Sequence, residues 1–256
     1  MLKKLFLSLV VLLSVFSLAA CGGKEKEAKG YGIVHKDYVG VADMKVKKGE
    51  VTAVTFEEYY LPYSWASLDI AGEEKPEDVL ADVTLKKGTG DFAKYIKIGD
   101  KLFTGTVRDE ALEIEGVTYA NQAVKYSAEG IEDLFVWLKN SEANCKWYVE
   151  QILAEKAFIA KADGTKADYT VKGNAANGFT KSTTGYWVVE DGLGWSGNMA
   201  KIAEALVGTK VNASALDLVQ GEDKIWTIKG TASGSTVKDF KDYYEVARRA
   251  YNTATK

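Results

Sequence analysis

The chain of 256 residues reads as an α+β protein, antiparallel hairpins packed with C-terminal amphipathic helices, on three observations. Apolar and polar residues alternate through two pairs of short runs, a 3.6-residue period takes over in the segments that follow, and the closing stretch is amphipathic. Fourteen Tyr, six Trp and nine Phe, against only two Pro, give the chain material for a sizeable core.

Taken in order, residues 39–46 and 51–56 alternate on either side of Lys47-Lys48-Gly49-Glu50, which predicts a β-hairpin. Residues 95–98 and 102–107 repeat that pattern around Gly99-Asp100-Lys101, a second hairpin. Helical spacing appears over 131–138 and again over 143–158, where Trp147, Ile152 and Leu153 recur near helical intervals. Residues 161–185, rich in Gly, Asn, Thr and Lys, read as a long connection. A short helix is predicted over 199–207, a strand over 224–229, and a last helix over 237–254 with Phe240, Tyr243, Tyr244, Ala247 and Tyr251 on one face. Sliding the chain by 106 positions lays Ser127, Ile131, Asp133, Leu134, Trp137 and Leu138 on Ser233, Val237, Asp239, Phe240, Tyr243 and Tyr244. Read as a duplication, that echo implies two related α+β lobes, 31–160 and 161–256; the alternative is that it is only the general signature of a helix start, a small polar cap before an aromatic helix.

The N-terminus has Lys3 and Lys4, an uncharged and mainly apolar run over 5–20, and then Leu18-Ala19-Ala20-Cys21 followed by Gly22-Gly23. Charge, apolar core and small-residue exit in that order predict a signal peptide over 1–20. Its apolar run falls short of the roughly 20 residues of a spanning helix. Leu-Ala-Ala-Cys resembles the bacterial lipobox, which implies acylation of Cys21, cleavage before it, and a membrane-anchored protein on the extracytoplasmic face. Residues 21–30, small and charged without apolar periodicity, are expected to be a flexible lipidated tether.

Acylation of Cys21 leaves Cys145 without a disulfide partner, and Cys145 is read as a small buried hydrophobe. Without residues 1–20 the balance is 31 Lys+Arg against 36 Asp+Glu, mildly acidic and mixed, which argues against nucleic acid as a partner. Catalytic constellations are absent: His35 is the only histidine, no Cys or His cluster has metal-ligand spacing, and there is no phosphate-binding loop or dinucleotide fingerprint. The chain is therefore expected not to be an enzyme. Glu57-Glu58 and Glu73-Glu74 read as solvated charge, and Gly192-Leu193-Gly194-Trp195-Ser196-Gly197 as a loop.

Two segments remain as candidate sites. Tyr59, Tyr60, Tyr63 and Trp65 surround Pro62 at a strand exit, either as a stacking surface for a planar ligand or as an aromatic plug under a loop. The segment 230–239, with Ser233, Gly234, Ser235 and Thr236, leads from a strand into the last helix. Free N–H groups there suit a phosphate, and Ser235 or Thr236 alternatively serves as an N-cap.

At these residues the chain resembles the FMN-binding-domain lipoproteins of bacterial extracellular electron transfer. In that family a flavin transferase joins FMN through its phosphate to Thr or Ser in the pattern Asp-x-x-Ser/Thr-Gly-Ala-Thr/Ser. Ser233-Gly234-Ser235-Thr236 matches the end of that pattern, while Gly230 stands in place of the Asp and Ser235 in place of the Ala. The resemblance implies FMN as cofactor, Thr236 as its attachment residue, a flavin transferase as partner and a role in electron transfer. Tyr31-Gly32-Ile33-Val34 with its hairpin also looks like the first strands of such a domain. The alternative is an extracytoplasmic lipoprotein that binds a small solute or a protein through its aromatic segment, without a redox cofactor.

Overall fold

A computed structural model describes residues 23–256, apart from 73 and 191. The signal segment expected over 1–20 and Cys21, the residue expected to be acylated, lie outside the described residues. No described helix is long and apolar enough to cross a membrane.

The fold is α+β. Its centre is an antiparallel sheet of β1 (Lys26–Val34), β2 (Tyr38–Lys47) and β3 (Glu50–Tyr60) in that spatial order. β2 is buried without a break from Tyr38 to Ala42, as expected for a middle strand covered on both faces. The chain then runs through α1 (Pro62–Trp65), β4 (Ser67–Leu68), β5 (Val79–Thr84), β6 (Thr89–Ala93), β7 (Tyr95–Ile98), β8 (Lys101–Val107), β9 (Leu112–Ile114), β10 (Val117–Tyr119) and β11 (Val124–Ser127). Next come α2 (Leu134–Lys139), α3 (Glu142–Leu153) and β12 (Ala157–Ala160). The last part holds α4 (Lys181–Thr184), α5 (Gly194–Leu206), β13 (Leu218–Gln220), β14 (Trp226–Ile228), β15 (Thr231–Ala232) and α6 (Phe240–Thr255). β11-β8-β7-β12 form a second antiparallel sheet, and β4-β6-β5, β10-β9 and β13-β14-β15 form smaller ones.

Both predicted hairpins form, as β2–β3 and β7–β8, with Gly49 and Gly99 in the left-handed backbone that their turns require. The helix expected over 143–158 ends at Leu153. Glu155 turns left-handed at φ 57°, and Ala157–Ala160 instead pairs with the free edge of β7. The glycine-rich segment read as a loop opens α5 from Gly194, five residues before the helix predicted there.

α6 buries Phe240, Tyr243, Tyr244, Ala247 and Tyr251, the face predicted for it, and lies across β1 and β2. It can approach closely because the strand face beneath is small: Ala28, Gly30 and Gly32 of β1 pair with Met44, Ala42 and Gly40 of β2. A Cβ at Gly30 would stand 2.1 Å from the Val246 carbonyl oxygen and 2.5 Å from the Ala250 nitrogen. α2 and α3 also pack on β1, and the Tyr31 N–H donates to Glu142 of α3 at 3.2 Å.

Two expectations are corrected here. The tether assigned to 21–30 ends by Lys26, where β1 begins, and Gly30 is buried under α6. Pairing with β2 supplies the order that the polar sequence of this stretch does not announce. The lobes 31–160 and 161–256 do not have separate cores. α6 covers the first sheet, the Tyr60 N–H donates to the Phe179 carbonyl at 2.8 Å, the Val51 N–H donates to Thr209 at 3.0 Å, and the buried side chains form one cluster. The echoed segments also part company, since α2 has 6 residues and packs on α3 whereas α6 has 16 and spans the sheet.

Candidate functional site

The aromatic segment is a core plug. Tyr60 and Trp65 are each 2% exposed; the Trp65 indole N–H donates to the Tyr148 hydroxyl at 2.8 Å, and that hydroxyl donates to the Tyr60 carbonyl at 2.6 Å. Trp65 meets Phe179 edge-on, and the Tyr60 hydroxyl pairs with Thr184 at 2.8 Å. Tyr63, half-buried, borders a crevice of about 10 Å³, room for about one water molecule and not for a flavin ring. The proposed stacking surface of Tyr60, Tyr63 and Trp65 is therefore corrected: these rings are occupied with one another and with the core. Cys145 is buried as expected, its Sγ 3.2 Å from the Leu138 carbonyl, and burial pushes its thiol up to about 12.

The loop between β15 and α6 is built from hydrogen bonds that use its serines internally. The Ser233 hydroxyl donates to the Trp226 carbonyl at 2.7 Å, and the Ser235 hydroxyl to Asn198 Oδ1 at 2.9 Å; both serines are buried. Gly234 adopts φ 76°, a conformation that makes the turn and favours glycine. Asn198 of α5 is the clamp: its Oδ1 accepts the Thr236 N–H at 2.8 Å, and its amide donates to the Gly194 carbonyl at 2.7 Å. Thr236 itself is exposed, and its hydroxyl makes only a 3.4 Å contact with that same Oδ1. Lys238 and Lys241 are exposed nearby in sequence, and the Lys201 side chain lies against Gly234.

Neither Ser235 nor Thr236 caps the last helix, which begins at Phe240 with Asp239 before it. That helix start is claimed by carboxylates. Asp239 Oδ2 pairs with His35 Nδ1 at 2.5 Å, and Asp242 Oδ2 accepts the His35 backbone N–H at 3.0 Å. His35 and Lys36 hold the β1–β2 turn in left-handed backbone, at φ 48° and 64°. Two acidic side chains at the helix start disfavour a phosphate there, which corrects the expectation that the free N–H groups of this helix start would hold one. Gly230 is left-handed at φ 79°, which explains why a glycine suits the position where the resembled family has Asp.

The residue that the sequence reading missed is Glu58. It is fully buried, not solvated: Oε1 accepts from the Tyr243 hydroxyl at 2.7 Å and from the Trp195 indole N–H, and Oε2 lies 2.7 Å from Lys181 Nζ. Lys181, 2% exposed, sits over the rings of Tyr38 at 3.8 Å and Tyr186 at 4.4 Å. Burial lowers its pKa, opposed by the charge of Glu58. The two-residue period of β3 places Glu58 with Val54, Phe56 and Tyr60 on one face, which is the signal that could have found it. Lys181, in a polar stretch without periodicity, offers no such signal.

Across the surface between α6, β1 and the β9–β10 hairpin runs a cleft of about 370 Å³, walled by Asp239 just before α6, by Asp242, Glu245 and Arg249 of α6, and by Lys36, Ile33, Tyr119 and Lys139. Among the described residues no group of His, Cys, Asp and Glu is placed to hold a metal ion. Comparison of the chain with protein-family models, with curated proteins and with solved structures gives no significant match.

Proposed function

We propose that this protein is a lipid-anchored extracytoplasmic flavin carrier, with FMN held through a phosphoester on Thr236. The observation that carries the reading is the loop at 233–236: Ser233 and Ser235 spend their hydroxyls in short bonds inside the fold, while Thr236 is exposed and its hydroxyl is held only by a 3.4 Å contact to Asn198 Oδ1, on a backbone clamped by that same oxygen. A hydroxyl on an exposed, fixed, small-residue turn, released by breaking one long hydrogen bond, is what a modifying transferase needs. Lys201, Lys238 and Lys241 would offset the phosphate charge. Trp187, 48% exposed beside Val188, is the planar apolar surface fastened to the same helix, through a 3.2 Å bond from the Trp195 N–H to its carbonyl. Bound flavin supplies one- and two-electron transfer; the chain's own groups attach it, screen its charge and keep it outside the membrane on the acylated Cys21.

Production beside a flavin transferase tests the reading. The wild type should turn yellow and gain the mass of one FMN less water, Thr236→Ala should gain nothing, and Cys21→Ser should leave the detergent phase while still accepting flavin at Thr236. An unmodified wild type, or a mass gain that survives Thr236→Ala, would overturn the assignment.

A further inference from the structure

The cleft on α6 has a polarity that the flavin reading does not use. Asp239 just before α6 and Asp242, Glu245 and Arg249 on it recur at helical spacing down one stripe, so the cleft floor begins acidic and ends basic. Across from them stand Lys36 on the β1–β2 turn, Ile33 on β1, Val117 and Tyr119 on β10, and Lys139 at the end of α2. Gly32 keeps the floor open, since a Cβ there would stand 3.0 Å from Arg249 Nη1.

The two ends are unequally satisfied. Asp239 has His35, whereas Asp242 makes no ion pair among the described residues and accepts only the His35 backbone N–H. Burial and the neighbouring Asp239 push the Asp242 carboxyl up to about 6, against the backbone N–H and charge of His35. Such a carboxylate gains most from an incoming cation. At the other end Arg249 gives Nε to Glu245 at 3.2 Å and Nη1 to the Tyr31 carbonyl at 2.6 Å, which leaves donors to spare; Lys139, on the facing wall, stands 3.6 Å from Glu115.

Seven residues of helix separate Asp242 from Arg249, about 10 Å along the axis at about 1.5 Å per residue. A free α-amino acid is too short to join these ends, whereas an extended chain at about 3.3–3.6 Å per residue covers the gap with about three residues. We propose that the cleft binds a short peptide with free termini, its ammonium at Asp242 and Asp239, its carboxylate at Arg249 and Lys139, and its side chains against Ile33, Val117 and Tyr119. The volume lies in the range of small-ligand sites.

The test uses trialanine, N-acetyl-trialanine, trialanine amide and free alanine, titrated calorimetrically into the protein produced without a flavin transferase, so that the outcome does not depend on Thr236. Trialanine should bind saturably, and either terminal block, or shortening to alanine, should weaken it about tenfold or more, as expected for losing one charge-assisted hydrogen bond. Asp242→Asn, which keeps an acceptor for the His35 N–H, and Lys139→Gln should each produce a similar loss while circular dichroism remains that of the wild type. Binding should also weaken as the pH falls through about 6, where Asp242 takes up its proton. Absence of saturable trialanine binding, or binding indifferent to N-acetylation and to Asp242→Asn, would overturn the proposal.

Discussion

Glu58 and Lys181 show how one buried pair can join distant parts of a chain. Neither charge reaches water, so each depends on the other and on fixed dipoles: Tyr243 and Trp195 donate to the carboxylate, and the faces of Tyr38 and Tyr186 attract the ammonium. Tyr243 remains a neutral donor because burial, and then the charge of Glu58, raise its phenol well above the usual range. Desolvation makes such a pair a weak source of net stability, but removal of one partner strands the other. Lys181→Met should therefore cost about 3–5 kcal/mol in urea denaturation. The double variant Glu58→Gln/Lys181→Met should be more stable than Lys181→Met alone. Additive losses would show that the two charges are not coupled. The Glu58 position was open to inference from strand alternation, whereas its partner was not, because 122 residues of chain intervene and only folding brings α4 beside β3.

At the scale of elements, the decisive contact is α6 on the first sheet. An amphipathic helix of 16 residues is marginal alone in water and takes its stability from the surface it covers. Here that surface is a trough of small residues, in which Gly30 brings a strand against helix backbone. Gly30→Ala places a methyl group where the Val246 carbonyl and Ala250 nitrogen already stand, and neither is a flexible side-chain end. The expected cost is about 1–3 kcal/mol, with amide exchange in 240–255 accelerated before that in the second sheet. Unchanged exchange in α6 would contradict this account of its docking. The same contact explains why residues 26–30 are strand: their charged composition reads as a linker, but their partners in β2 and α6 lie elsewhere in the sequence.

The whole molecule is expected to unfold as one unit. A boundary at 160/161 would leave β1–β3 without α6, Glu58 without Lys181, and the edge of β3 without its bonds to Thr209 and Phe179. Urea unfolding followed by tryptophan fluorescence and by far-ultraviolet circular dichroism should give coincident single transitions, and a chain truncated after residue 160 should not show a cooperative one. Two separated transitions in the full chain would restore the two-lobe division.

The sequence by itself determined the α+β class, both hairpins, the buried face of the last helix and the inert character of Cys145, since each follows from a local period or from composition. It also singled out 233–236 by the succession of small and hydroxyl residues. Only the tertiary structure decided which residues of that loop are buried and which is exposed, because Asn198 comes from another helix. It also turned Tyr60 and Trp65 into core, ordered 26–30, and opened the charged cleft between α6 and β10. Local sequence encodes a residue's period and conformational preference; burial and pairing depend on partners far along the chain, which pattern within a window does not contain.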